Sequence, residues 1–308
     1  MLAPVRIRFG GYQGPASVHT RAMRRFSEAL ARACAGAVDV ELTENVTAQG
    51  RRADDLFAMV ETGRLELCYF ASSYLVGRVP ALGVLDLPFA ATERARTYER
   101  LDGELGARLA EAVAANTGYR VLAWWDNGIR HISNRLRPIR RPEDCRGIRL
   151  RTLDNAFHQR VFAALGFVPQ YLDVKDLVPA VEAERVDAQE NPLTNLVNFN
   201  LHRFHRHVSL TAHFHGIAPV LVNRAAFDAW PASVREGVRA ALVEATAAQR
   251  GFAIEDDTVC LAKLHEAGVA VVGPEEIDLS AFRAAVADVV RDGTAALDPD
   301  LLALARAP

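Results

Sequence analysis

From Pro231 to about Ala267 almost every residue is compatible with a helix, interrupted only by Gly237 and Gly251. A helix that long cannot fit within one small domain, but it can brace two domains by running along both. The 308 residues allow this, because single hydrophobic cores usually stop growing near that size. The longest stretch of regular structure therefore predicts two bodies joined by a shared support.

The rest of the chain alternates between two periods. VRIRF (5–9) reads as a half-buried strand. Ser17 is an N-cap for a helix with Val18, Ala22, Phe26, Leu30 and Ala33 on one face. VDVEL (38–42) is a second strand, a helix carrying Leu56, Met59 and Val60 ends at Gly63, and LELCYF (65–70) is a third strand. This β-α-β-α-β order predicts a mostly parallel sheet wrapped by helices. A helical stretch from about 92 to 115 leads to strand YRVLAWW (119–125), closed by the turn residues D-N-G at 126–128. From Ile129 a second run begins: IRHISN, a helix start at P-E-D-C (142–145), strand GIRLRT, and helices over 155–165 and from about 174. After RVDAQENP follow a helix through Leu196, Phe199 and His202, strands VSLTAHFH and PVLVN (219–223), short strand VAVVG (269–273) and a last helix over about 279–292.

The expectation is an α/β chain of two domains with a hinged cleft, built on mixed, mostly parallel sheets. Residues 1–126 with 214–252 form one domain and 127–213 with 253–308 the other. The chain crosses between them near 125–130 and 212–216, and the helix over about 231–267 is common to both.

A net charge of −2 creates no global field for nucleic acid or acidic lipid. The longest apolar runs, such as AAVADVV, are too short to cross a bilayer. Of 36 basic residues only Lys175 and Lys263 are lysine, so an arginine carries information here through its placement alone. Cys34, Cys68, Cys145 and Cys260 lie far apart without metal-site spacing and read as small buried hydrophobes.

No catalytic motif is present: no G-x-S-x-G, Walker A loop, H-E-x-x-H, or G-x-G-x-x-G after a strand. The loop Phe9-Gly10-Gly11-Tyr12-Gln13-Gly14 reads as a place where backbone approaches a ligand, or as a simple tight connection. Histidines 202, 205, 207, 213 and 215 have no carboxylate or Cys at ligand spacing, so no metal site is expected. In IRLR (148–151) Arg149 and Arg151 share a strand face, and Arg130 follows the 126–128 turn. A guanidinium fork suits a carboxylate or phosphate, although a structural ion pair serves equally well on residues alone. RVDAQENPLTN (185–195) packs polar groups so densely that it either forms a solvated loop or converges on something.

These segments together resemble a known family. GIRHISNRLRPIRRPEDCRGIRLR, ALGFVPQ, VDAQENP, LTAHF and LDLPFA (85–90) are similar to the solute-binding proteins of tripartite ATP-independent periplasmic (TRAP) transporters, the DctP family. The resemblance spans essentially the whole chain. It implies a periplasmic, cofactor-free binding protein, not an enzyme, that captures an organic acid in the interdomain cleft, closes by a hinge and delivers it to a membrane permease. The chain as given shows no signal peptide, since MLAP leads directly into VRIRF, so a processed form is expected.

By the resemblance, Arg151 makes the central salt bridge to the ligand carboxylate, Arg130 assists, and Asn191 donates an amide to the same region. Gln189 and Glu190 are expected to hold the loop, with Val186 ending a strand at the cleft. Glu184 and Ala188 stand where the family usually has glycine, and Pro179 interrupts the preceding helix. Ser72 stands where sialate-binding members carry a carboxylate, which counts against sialic acid. Tyr12, Ser72, Ser73, Trp125, Asp126, Asn127, Asp154, Phe214 and His215 fall at strand ends or loops facing the expected cleft. Trp125 and Phe214 favour an aromatic or hydroxylated monocarboxylate over a C4-dicarboxylate. A monomer is expected, with a permease and no nucleic acid as partner. The rival is an α/β enzyme using His213 or His215 with Asp126 or Glu190 for acid–base chemistry on a carboxylate; a third reading is a binding protein of an ATP-driven importer.

Overall fold

A computed structural model describes residues 3–90 and 93–306. The first half opens with β1 (Val5–Gly10), α1 (Val18–Ala33), β2 (Val38–Thr43), α2 (Asp55–Glu61) and β3 (Leu67–Tyr69). β1 lies parallel to β2 on one side and β3 on the other. Ser17 caps α1 as its position suggests, its hydroxyl accepting from the N–H of Thr20 at 3.0 Å. The helical stretch expected from about 92 (92 itself lies outside the described residues) is two helices, α3 (Arg94–Asp102) and α4 (Glu104–Asn116), broken at Gly103.

The middle of the molecule departs from the expected layout. YRVLAWW and IRHISN are one continuous strand, β4 (Tyr119–Asn134). VSLTAHFH and PVLVN are likewise one strand, the later of the two long ones, His207–Asn223. The D-N-G stretch makes a bulge instead of a turn: Asp126 pairs with Ile217 and Gly128 with Gly216, leaving Asn127 as the extra residue. Asp126 accepts from the N–H of Gly128 at 2.6 Å, the local bond that D-N-G favours, and Gly128 takes the left-handed φ of 94°.

The second half contains β5 (Arg149–Thr152), α5 (Ala156–Ala164), β6 (Val168–Tyr171), α6 (Val174–Glu182), β7 (Ala188–Pro192) and α7 (Leu193–Asn198). The long strand from His207 is β8, followed by α8 (Arg224–Ala229), α9 (Ala232–Glu266), β9 (Ala270–Val272), α10 (Leu279–Thr294) and α11 (Pro299–Arg306). The expected helix through His202 ends instead at α7, where Asn200 turns left-handed at φ 56°. AQENP of the polar run is itself a strand, β7, paired antiparallel with β4 and parallel with β5 and buried at every residue. Val186 precedes that strand; it does not end one. Glu184, where the family usually has glycine, sits at φ 51°, the backbone state glycine accommodates without strain.

Among the described residues all strands form one nine-stranded sheet of order β2-β1-β3-β8-β4-β7-β5-β6, with β9 added to β8. One apolar cluster gathers α1, α2 and α4 with Tyr119–Trp125 of β4, Ile217–Val222 of β8 and Val234–Ala245 of α9. Two others gather Ile132, Val208, Phe214, Cys260 and Leu264 with α5, α6 and α10. β4, β8 and α9 thus each run through both halves, and α9 is the brace its length predicts. Leu301 of α11 packs into the first cluster, and Phe89 packs into one of the other two. The four cysteines are unpaired, and all but the half-buried Cys34 are buried.

Candidate functional site

The carboxyl ends of β1, β3, β5 and β7 converge between the halves, as ligand sites do in open α/β sheets. Arg151 is 2 % exposed on β5. Its Nε donates to the carbonyl of Leu172 at 2.9 Å, and its buried Nη2 has no partner among the described residues. Arg130, from β4, is in the opposite state. It donates through Nε to Glu190 Oε2 at 2.5 Å and through Nη2 to Glu190 Oε1 at 2.9 Å, with further bonds to the Glu190 carbonyl and Asn191 Oδ1. Burial alone would push the Glu190 carboxyl up; Arg130 and His213 outweigh it and hold the group well below the usual carboxylate range. Arg149, on the same strand as Arg151, is taken up by Asp187 at 2.8 Å and is structural.

Asn191 is a node in a buried amide chain. Its Nδ2 donates to Gln189 Oε1 at 2.5 Å, and its Oδ1 accepts from Asn195 at 3.1 Å. Gln189 donates on to Ser133 at 2.6 Å, and Gln13, from the other half, donates to Asn195 at 3.3 Å. Tyr12 packs between Tyr69 and Phe70, and Arg130 and Arg151 both act on its phenol and on that of Tyr74. Burial pushes Tyr74 up to about 12, against the pull of those two cations. Ser72 Oγ, Gln13 Oε1 and Asp173 Oδ2 are buried with no hydrogen-bond partner among the described residues, although Asp173 Oδ2 lies 3.8 Å from the Arg52 guanidinium. Tyr74 and Asp173 gave no sequence signal, and Gln13 only as a member of the loop over 9–14; each becomes a cleft group through tertiary approach.

Other expected residues stand elsewhere. Trp125 lies in the core of the first half against Phe9 and Tyr69, its indole N–H donating to Thr246 at 3.0 Å. Phe214 is core to the second half, edge-on to Phe162 and stacked on His158. His215 sits behind the cleft at the hinge, its Nε2 3.0 Å from Asp126 Oδ1. Asp126 also accepts from Arg94 at 2.7 Å and Tyr98 at 2.5 Å, while Gln249 of α9 clamps its backbone N–H and carbonyl at 2.8 and 2.6 Å. Asn127 is buried beside this clamp with Oδ1 unpartnered among the described residues. Ser73 is turned away from the cleft centre and donates to Asp86. Asp154 is exposed at the rim, near enough to Tyr171 to act on its phenol.

The sequence model of the bacterial extracellular solute-binding proteins of family 7, DctP, matches residues 9–296. The chain belongs to that family. The 2,3-diketo-L-gulonate-binding periplasmic protein YiaO of Escherichia coli (strain K12) is 27 % identical over 291 residues, 94 % of this chain and 87 % of that one. The C4-dicarboxylate-binding periplasmic protein DctP of Rhodobacter capsulatus is 27 % identical over 266 residues, 86 % and 79 % of the two chains. Among solved structures, the sugar acid binding protein DctPAm from Advenella mimigardefordensis strain DPN7T, in complex with galactonate, superimposes with a TM-score of 0.93 at 26 % identity, covering 99 % of each chain.

As a family 7 protein the chain is a solute-binding transport protein and not an enzyme, with the two-domain fold expected for it. The acid–base rival did find its pairs, His215 with Asp126 and His213 with Glu190 at 3.3 Å. Each carboxylate is gripped by an arginine and buried. Burial keeps the His213 imidazole neutral. Among the described residues no cluster fit for a metal ion occurs, and no helix is long and apolar enough to cross a membrane.

Proposed function

We propose that this chain is the periplasmic receptor of a TRAP transporter and binds a hydroxylated monocarboxylate, with Arg151 as the anchor of the carboxylate. The observation that carries the reading is the contrast between the two cleft arginines. Arg130 is neutralised by Glu190, whereas Arg151 is a buried cation with donor capacity left over and no carboxylate on it among the described residues. A buried guanidinium without a counter-ion is costly, and a ligand carboxylate relieves that cost with charge-assisted hydrogen bonds.

One unpaired cation suits one carboxylate. A second carboxylate would face Asp173 Oδ2 and Gln13 Oε1, which are acceptors and match hydroxyl donors instead. The aromatic alternative rested on Trp125 and Phe214, and both serve as core. Galactonate and 2,3-diketo-L-gulonate, bound by the relatives, have the favoured chemistry. Arg130 positions Asn191 and Glu190, and Asn191 offers its amide to the ligand. The halves proposed to close on it are 1–126 with 214–252 and α11, and 127–213 with 253 to the end of α10; the bound form is handed to membrane permease subunits by a monomer.

Titration calorimetry with D-galactonate and succinate tests the reading. The wild type should bind galactonate more tightly than succinate, and Arg151→Ala should weaken galactonate by about 100-fold or more. Unchanged affinity in that variant would remove Arg151 as the anchor, and tighter binding of succinate would overturn the substrate class.

A further inference from the structure

Ser72 and Arg151, two of the cleft groups with unspent hydrogen-bonding capacity, each stand near a residue engaged across the seam between the halves. On the first half, Ser72 is followed by Ser73, whose hydroxyl donates to Asp86 Oδ1 at 2.6 Å. On the second, the connection leading out of β5 after Arg151 ends at Asn155, the N-cap of α5. Its Oδ1 accepts from the N–H groups of Phe157 and His158 at 2.9 and 3.1 Å. Its Nδ2 crosses the seam, donating to Asp86 Oδ2 at 2.9 Å and to the Ser73 carbonyl at 3.0 Å. His158, stacked on Phe214 with ring centroids 4.0 Å apart, places Nε2 3.3 Å from Asp86 Oδ1. Ser73, Asp86, Asn155 and His158 are all buried, so water does not compete for these bonds.

We propose that Ser73, Asp86 and Asn155 form a latch that holds the two halves closed without touching the ligand. The proposal rests on the two-body binding protein described above. A carboxylate only accepts hydrogen bonds, and Asp86 is supplied from both sides of the seam, by Ser73 from its own half and by Asn155 from the other. Opening replaces the cross-seam bonds with water. The latch therefore adds to closure a contribution common to every ligand, and apparent affinity rises with the population of the closed state. The chain order couples latch and site. Ser73 adjoins Ser72, and Asn155 lies in the connection that follows Arg151 and β5, so a ligand spanning the cleft and the latch favour the same closed state. These are positioning residues: they set affinity in common and leave the ranking of ligands alone.

Asn155→Asp is the deciding variant. A carboxylate caps a helix as well as an amide does, so α5 keeps its N-cap, but two carboxylates now face each other across the seam. Adding Asp86→Asn restores an amide opposite a carboxylate. Small-angle scattering on the full chain without ligand gives the radius of gyration, and calorimetry with D-galactonate and succinate gives affinities. Asn155→Asp should enlarge the radius of gyration and weaken every probe the wild type binds by one shared factor of about tenfold or more, and the double variant should recover part of both. Unchanged affinity in Asn155→Asp, or a loss that Asp86→Asn does not restore, overturns the latch. If Arg151→Ala abolishes binding while Asn155→Asp changes nothing, the carboxylate site stands and the latch falls. If no probe binds the wild type, the carboxylate reading falls and the radius of gyration decides alone: expansion in Asn155→Asp supports the latch, and equality overturns it.

Discussion

Arg130 and Arg151 carry the same charge at similar burial on neighbouring parts of one sheet, yet they bear on stability in opposite ways. Removing Arg130 strands Glu190, a fully buried carboxylate left, among the described residues, with Thr152 and neutral His213. Breaking a buried pair from one side costs about 3–5 kcal/mol, so Arg130→Ala should lower the melting temperature of the ligand-free protein sharply. Arg151→Ala instead removes a buried cation without an ionic partner, and its thermal denaturation should match or exceed that of the wild type. A large loss of stability in Arg151→Ala would show that the guanidinium is a structural element. Asn191 falls between these cases. The sequence suggests that its loss weakens binding without unfolding the protein, but its amide also serves Gln189, Asn195 and Arg130. Asn191→Ala is therefore expected to cost about 1–3 kcal/mol of stability as well, because buried polar partners are left unsatisfied.

At the scale of elements, α9 carries two glycines with different consequences. A Cβ at Gly251 would meet nothing within 4 Å, whereas one at Gly237 would lie 2.2 Å from Cys34 Sγ, where α9 packs closely on α1. Gly251→Ala should stabilise the protein by about 0.5–1 kcal/mol through helix propensity and a less flexible unfolded chain. Gly237→Ala should gain less than Gly251→Ala despite the same propensity change, since the added Cβ requires the Cys34 side chain to turn away. Chemical denaturation of the two variants checks that order. The helices were well legible in the sequence, because a 3.6-residue period with caps such as Ser17 and Gly63 is a local signal. β7 was not. AQENP has neither alternation nor β-branched residues, and it is a strand because β4 and β5 supply its hydrogen bonds and bury its side chains. The same holds for Asp126–Gly128, where turn chemistry became a bulge once β8 paired on both sides of it.

At the scale of the whole molecule, burial leaves several histidines neutral. It lowers His19 and His131 to about 3 and His205 to about 4. The unfolded chain protonates each near pH 6.5, so between that pH and the native values the unfolded state binds more protons. Stability is then complete above about pH 6.5 and falls as pH drops, by up to about 1.4 kcal/mol per pH unit for each histidine. Melting temperatures should be flat above about pH 7 and decline below about pH 6.5, with a shallower decline in His131→Gln. An unchanged slope in that variant would count against His131 as a contributor. The sequence by itself determined the α/β class, the brace over 231–267, the family, and Arg151, Arg130 and Asn191 as the residues to follow. Each rests on a local period or a contiguous motif, which the chain carries wherever it folds. Only the tertiary structure decided which arginine is neutralised and which is left unpaired, that Trp125, Phe214 and His215 face core and hinge, and that Ser73 reaches Asp86 and Asn155. Charge balance and burial depend on groups far apart in the chain, and these meet only when β4, β8 and α9 carry the two halves together.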